Sequence, residues 1–195
     1  MRFVLSLTLA LAVALGALAL QPTRASAEWI NPALLDGAGG VGGDFFQGSS
    51  IPRRVVDYDG RYAPGTIVIS HSERRLYLVQ EGGKAIRYGV GVGRPGFGWR
   101  GSYRLTRMAE WPDWRPPAAM RRRQPGLPVF MAGGPENPLG ARALYIGNTL
   151  WRIHGSNEPH TIGEAVSSGC IRMTNEDVTD LYSRVRVGAR IVMKD

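Results

Sequence analysis

From residue 63 onward the chain alternates short apolar runs with polar and glycine-bearing turns. Thr66 to Ser70, Arg75 to Val79, Ala85 to Val92 and Ser102 to Thr106 are rich in β-branched and aromatic residues. They are separated by His71-Ser72-Glu73, Glu81-Gly82-Gly83 and the loop from Gly96 to Gly101. Runs of this length between turn residues predict strands joined as antiparallel hairpins. Strand character returns at Ala143 to Ile146 and Leu150 to His154. Between these two groups, Arg107 to Gly140 carries Pro112, Pro116, Pro117, Pro125, Pro128, Pro135 and Pro138. A stretch this long without a periodic pattern inside a compact domain predicts a functional loop. It reads as a lid, with Trp111, Trp114 and Tyr145 as walls and Arg121 to Arg123 as a solvated tip.

The period changes once. Thr174-Asn175-Glu176-Asp177 is a capping box, since the Thr hydroxyl accepts from an orphan backbone N–H and the acids favour the positive helix end. Val178, Leu181, Tyr182 and Val185 then recur at i, i+3, i+4 and i+7, which predicts one amphipathic helix. Gly188 is the expected stop, and Ala189 to Met193 the closing strand. The pattern as a whole predicts a mainly β, mostly antiparallel domain with one capped helix near its C-terminus, either a sandwich or a partly open barrel.

The first residues have a different grammar. Met1 and Arg2 precede an apolar stretch from Phe3 to Leu20, and Ala25-Ser26-Ala27 supplies an A-x-A site. This predicts a secretory signal over residues 1–27, cleaved after Ala27, and hence export to the periplasm or the wall side of the inner membrane. Residues 28–62 form a leader rich in glycine and a lead-in to the fold, and residues 63–195 the folded domain. Removing the signal with Arg2 and Arg24 lowers the formal net charge from its full-chain value of +8 by two. On an exported protein this basic balance is either a solvated surface that aids solubility or an attraction to an anionic extracytoplasmic matrix. There is no basic helix, interleaved aromatic strand or zinc module, so nucleic acid is not an expected partner.

Among 195 residues there is one cysteine. A single thiol makes neither an intramolecular disulfide nor a multi-thiolate metal site, leaving buried filler, liability or nucleophile. Cys170 sits in Ser167-Ser168-Gly169-Cys170-Ile171-Arg172, a polar turn just ahead of the expected helix, where backbone N–H groups favour a thiolate. His154, at the end of a strand and followed by Gly155, is the candidate base. His71 and His160 lack metal-ligand spacing relative to these residues, and His160, after Pro159, is a weaker rival base. Gly91-Val92-Gly93-Arg94-Pro95-Gly96 matches a dinucleotide fingerprint by letter, but the strand-like residues after it open no helix, so a turn is expected.

Ile153-His154-Gly155, then Ser167-x-Gly169-Cys170-Ile171-Arg172-Met173, then Asn175, Asp177, Leu181 and Tyr182 resemble the signature of the bacterial L,D-transpeptidase family, the YkuD-type catalytic domain. The resemblance extends over Pro64 to Asp195, including Pro64-Gly65-Thr66-Ile67 and Asn137-Pro138-Leu139-Gly140. It implies Cys170 as nucleophile, His154 as its base, and the Gly155 carbonyl as orienter of the imidazole. It implies backbone N–H groups of Gly169 and Cys170 as oxyanion donors, with Ser167, Ser168 and Tyr145 around the substrate. Arg172 would orient the loop or pair with a substrate carboxylate. Many members carry His where this chain has Ser168, so His154 bears the base role alone.

The resemblance also implies the substrate: tetrapeptide stems of peptidoglycan, from which D-Ala leaves, with the acyl group passing to a stem amine or to the lysine of an envelope protein. Neither metal nor organic cofactor is implied, and a monomer is expected. The alternatives are a carboxypeptidase that uses water as acceptor and a non-catalytic peptidoglycan-binding module. NlpC-type peptidases place Cys before His, and sortases place the Arg on a later strand, so neither order fits.

Overall fold

The computed structural model describes residues 51–195; the expected signal and the glycine-rich stretch of the leader lie outside the described residues. The elements are β1 (Arg54–Asp57), β2 (Ile67–Ser70), β3 (Arg75–Val79), β4 (Lys84–Gly89), β5 (Val92–Gly93), β6 (Gly101–Glu110), α1 (Ala118–Arg123), β7 (Arg142–Ile146), β8 (Arg152–His154), β9 (Ala165–Ser167), β10 (Ile171–Arg172), α2 (Asn175–Arg184) and β11 (Arg190–Lys194). Nine strands form a sheet in the order β1-β4-β3-β2-β11-β6-β7-β8-β10, and β5 pairs separately with β9. The hairpins β2-β3, β3-β4, β6-β7 and β7-β8 are antiparallel. The sheet is nonetheless mixed, because β2-β11 and β8-β10 are parallel, as is the separate β5-β9 pair.

β6 joins the two halves of the sheet. Gly101 to Arg104 pair with β11, and Leu105 to Glu110 pair with β7 across a bulge between Leu105 and Arg107. A bulge bends a strand and resets which side chains face the core. Here it lets Leu105 face inward opposite Ile146 while Arg107 faces outward opposite Tyr145. Ile67, Ile69, Leu76, Leu78 and Tyr88 from one half and Leu144, Ile146, Ile153 and Ile171 from the other meet in one apolar cluster with Val178 and Leu181 of α2. Each such side chain, removed from water, contributes about 1.5–3 kcal/mol.

The helix forms where its period predicts, with Thr174 Oγ1 accepting from Asp177 N–H at 3.1 Å. It ends at Arg184, before the expected stop; Gly188, at φ +95°, instead turns the chain into β11. The expected loop from Arg107 is also shorter than its composition suggests, since Arg107 to Glu110 complete β6. Within it, the good helix formers Ala118 to Arg123 make the short α1 after Pro116-Pro117. The sheet also takes in part of the lead-in, as β1 pairs with β4.

Candidate active site

The catalytic candidates stand on one face of β7, β8 and β10. In a strand, alternate side chains share a face. Leu144, Ile146, Ile153 and Ile171 point into the core, so Tyr145, Arg152, His154 and Arg172 take the other side. The register pairs Ala143 with His154 and Arg172 with His154, and Tyr145 with Arg152. Cys170 is the residue before β10, and one step back along the Ile171–Ile153 pairing sets it beside Arg152. Chain elements sixteen residues apart thus bring Cys170 to the strand that ends in His154.

His154 is 4% exposed. Its Nδ1 lies 2.5 Å from the Gly155 carbonyl, which as an acceptor requires Nδ1–H and leaves the lone pair on Nε2. Burial pushes the imidazole down to about 3, reinforced by the charges of Arg172 and Arg152 and opposed by the Gly155 hydrogen bond. Burial and the Nδ1 hydrogen bond thus favour the neutral tautomer that presents Nε2 as the base. Gly155 is required as glycine, because a Cβ there would collide with Asn175 Oδ1. That oxygen accepts from Ala141 N–H at 2.8 Å, pinning the end of the long loop to the start of α2 beside the histidine.

Cys170 is half-buried, and its Sγ lies 3.7 Å from the Leu150 carbonyl. Burial pushes the thiol up, against the pull of Arg152, whose charge, backbone N–H and guanidinium all favour the thiolate. The expected help from a helix start is weak, since β10 and Thr174 separate Cys170 from α2. Burial thus favours the neutral thiol at Cys170 and the neutral imidazole at His154.

The cysteine loop is tied from several sides. Ser167 Oγ donates to the Cys170 carbonyl at 2.6 Å and accepts from Gly169 N–H at 3.1 Å. Of the two expected oxyanion donors, that of Gly169 is therefore held by Ser167 at rest. Trp99 Nε1 donates to the Gly169 carbonyl at 2.8 Å, and Trp99 stacks on Trp151 with centroids 4.7 Å apart. Gly169 adopts φ +109°, and a Cβ there would sit 2.9 Å from Trp151 Nε1. Arg94 donates to Ser168 Oγ at 3.3 Å. Arg172 donates to Glu158 Oε2 at 2.8 Å, tying β10 to the turn at Pro159–Thr161. His160 lies in that turn, exposed.

The long loop approaches the site at two points. The Arg123 guanidinium lies 5.7 Å from the Phe97 ring, whose carbonyl is 3.1 Å from where a Gly169 Cβ would be. Asn157 Nδ2 donates to the Glu136 carbonyl at 3.1 Å. Trp114 pairs with Met131 within the loop, and Trp111 N–H donates to Ala141 O at 2.8 Å. Arg152, Glu158, Trp99 and Trp151 were not among the residues expected from sequence. Arg152 is placed by strand register and the other three by contacts between segments distant in sequence, which no local pattern carries.

The architecture is of a known class. Mycobacterium tuberculosis L,D-transpeptidase 3 superposes with a TM-score of 0.53 over 67% of this chain and 60% of that one, at 18% identity, a likeness of fold alone. The family model for the L,D-transpeptidase catalytic domain, YkuD, matches residues 64–193, and the chain belongs to this family of enzymes. The probable L,D-transpeptidase ErfK/SrfK of Escherichia coli K12 is 38% identical over 136 residues, which are 66% of this chain and 44% of the relative, so the chain matches less than half the length of that protein. A Brucella melitensis structure described as a probable carnitine operon oxidoreductase is 44% identical, with a TM-score of 0.51 over 72% of this chain and 91% of that one. In the present chain the Gly91 to Gly96 stretch forms β5 and a turn, not the strand-to-helix cradle of a dinucleotide site.

Proposed function

We propose that the protein is an exported cysteine L,D-transpeptidase that acts on peptidoglycan tetrapeptide stems in building the cell wall. The observation that carries this reading is the buried, neutral imidazole of His154, fixed through Nδ1 on the strand beside Cys170. A neutral base on the strand that runs beside the thiol, on the same face of the sheet, is what general-base activation of a sulfur nucleophile requires.

As Sγ attacks the carbonyl that precedes the terminal D-Ala, its proton passes to His154 Nε2. The oxyanion is met by the Cys170 N–H and, once Ser167 yields it, that of Gly169; one such donor is worth about 2.7–4 kcal/mol in the transition state. Collapse breaks the C–N bond, His154 returns the proton to the departing amine, and D-Ala leaves a thioester on Cys170. An acceptor amine then attacks the thioester, His154 takes its proton, and an amide forms as the thiol is restored. Gly155 orients the imidazole, a triad's third role played by main chain. Arg172, held by Glu158, orients the loop, and Ser167 and Ser168 shape it.

The acceptor is a neighbouring stem amine or the lysine of an envelope protein; water gives a carboxypeptidase. No cofactor enters these steps. The loop from Trp111 to Gly140 serves as the lid, and a signal over residues 1–27 delivers the protein as a monomer to the periplasm. Incubation with purified muropeptides, with and without a lysine peptide, followed by mass analysis tests the reading. D-Ala release with a cross-linked or peptide-linked product supports it, and intact tetrapeptides in the presence of an alkylatable Cys170 overturn it.

A further inference from the structure

Three side chains form a row across the outer face of the sheet that ends at Cys170. Arg107 of β6 pairs with Tyr145 of β7, Tyr145 pairs with Arg152 of β8, and Arg152 stands beside Cys170 in the β8–β10 register. The Arg107 guanidinium lies 3.5 Å from the Tyr145 ring centroid and that of Arg152 5.3 Å, so one phenol ring carries two cations. Other arginines of this region are neutralised: Arg172 by Glu158 and Arg142 by Glu110. Among the described residues no carboxylate forms an ion pair with Arg107 or Arg152. Arg152 Nη1 donates to the Leu150 carbonyl at 3.3 Å, its guanidinium also favours the Cys170 thiolate, and its Nε is buried without an acceptor. A buried N–H left unpaired is costly and calls for a partner. Arg152 beside Cys170, with the charge of Arg107 behind it across Tyr145, calls for an anion.

On the transpeptidase reading, on which this step rests, we propose that Arg152, backed by Arg107 across Tyr145, binds the terminal carboxylate of the residue that leaves. The dimensions agree. Neighbouring strands stand about 4.8 Å apart, and the carboxyl carbon of the residue after the scissile bond lies within about one Cα step, ~3.8 Å, of the attacked carbonyl. A carboxylate at that distance meets the guanidinium one strand away from the sulfur. A chain one residue longer carries its carboxylate a further ~3.5 Å along, past the fork of Arg152. The row thus acts as a ruler that makes the enzyme release a single C-terminal residue. It also assigns carboxylate recognition to Arg152, whereas the guanidinium of Arg172 is already occupied by Glu158.

The test compares a tetrapeptide stem that ends in D-Ala with the same stem ending in D-Ala amide, following release of D-Ala or D-Ala amide by mass. Wild-type protein is expected to prefer the acid by about 10- to 100-fold in kcat/KM, the loss that accompanies removal of a charge-assisted hydrogen bond. Arg152→Gln is expected to bring that ratio to within about threefold of one, Arg152→Lys to an intermediate value, and Arg107→Gln to reduce it severalfold. Arg152 also favours the thiolate, so Arg152→Gln slows both substrates; the pH profile of Cys170 alkylation by iodoacetamide measures that shared effect, and the acid-to-amide ratio cancels it. Equal rates on acid and amide in wild-type protein overturn the proposal, a comparison that needs no folded variant. An unchanged ratio in folded Arg152→Gln overturns it as well. If wild-type protein releases neither product while Cys170 still alkylates, the transpeptidase reading itself falls, and this assignment with it.

Discussion

The two faces of β7, β8 and β10 are built from the same few residues and do different work. Leu144, Ile146, Ile153 and Ile171 are fully buried and hold the sheet to the rest of the core. Between them, Tyr145, Arg152, His154 and Arg172 face the other way, with Cys170 at the entrance to β10. The period of two separates stability from chemistry within strands of two to five residues. A slip of one residue would place Arg152 in the core and Ile153 at the thiol, so the apolar face enforces the register on which the reactive face depends.

The strongest way to break this contrast is to remove the reactive groups and leave the core alone. Cys170→Ala and His154→Ala are each expected to lower D-Ala release by about 10⁴-fold or more, as loss of a member of a nucleophile–base unit does. Both should keep a single cooperative melting transition, read by circular dichroism. The converse change, Ile153→Ala, should cost about 2–5 kcal/mol in urea unfolding, with release by the folded fraction changed only severalfold. A third substitution strikes the join between the two faces. Gly169→Ala places a Cβ at φ +109° against Trp151 and the Phe97 carbonyl. Strain of about 1–3 kcal/mol in the cysteine loop should reduce turnover by about 10- to 100-fold, measured by steady-state kinetics, with less effect on the melting temperature than Ile153→Ala.

The smallest effect sharpens the same contrast through pH. His154 is a polar group held as if it were core, pushed down to about 3 by burial. An unfolded histidine titrates near 6.5, so the unfolded chain binds the extra proton between these values and stability is lost as pH falls through that window. Relative to His154→Gln, wild-type protein should lose about 2 kcal/mol by pH 5. Asp177 works in the opposite sense, because burial pushes its carboxyl up to about 6 despite Arg53. It therefore gains stability as pH falls toward its ordinary value, and the difference between wild type and variant, by thermal melts across pH, isolates the histidine. Alkylation of Cys170 by a neutral reagent should keep rising above the usual thiol range without an early plateau, since the resting thiol is pushed up.

What was legible beforehand follows the same division. The strands from Thr66 to Val79, the capped helix at Thr174, and the pair of His154 and Cys170 are local signals: composition, capping, and a short motif. The helix end was misplaced because Gly188 serves the turn into β11 rather than the cap. Strands β5, β9 and β10 have two or three residues each, too few for any period to show. Arg107 read as the start of the long loop because the bulge that turns it outward depends on pairing with β7. Arg152 carried no signal of its own, as its importance comes from lying between Tyr145 and Cys170, residues fixed beside it only by strand register. Glu158 likewise matters only because β10 brings Arg172 to it.

The central claim is that Cys170 carries the acyl group. Purified protein mixed with a tetrapeptide stem, quenched in acid within the first turnovers and digested, should show the Cys170 peptide heavier by the stem acyl group lacking D-Ala, with free D-Ala in equal amount and neither product in Cys170→Ala. Release of D-Ala at an undiminished rate by Cys170→Ala, or an acyl group carried on any other residue, would contradict it.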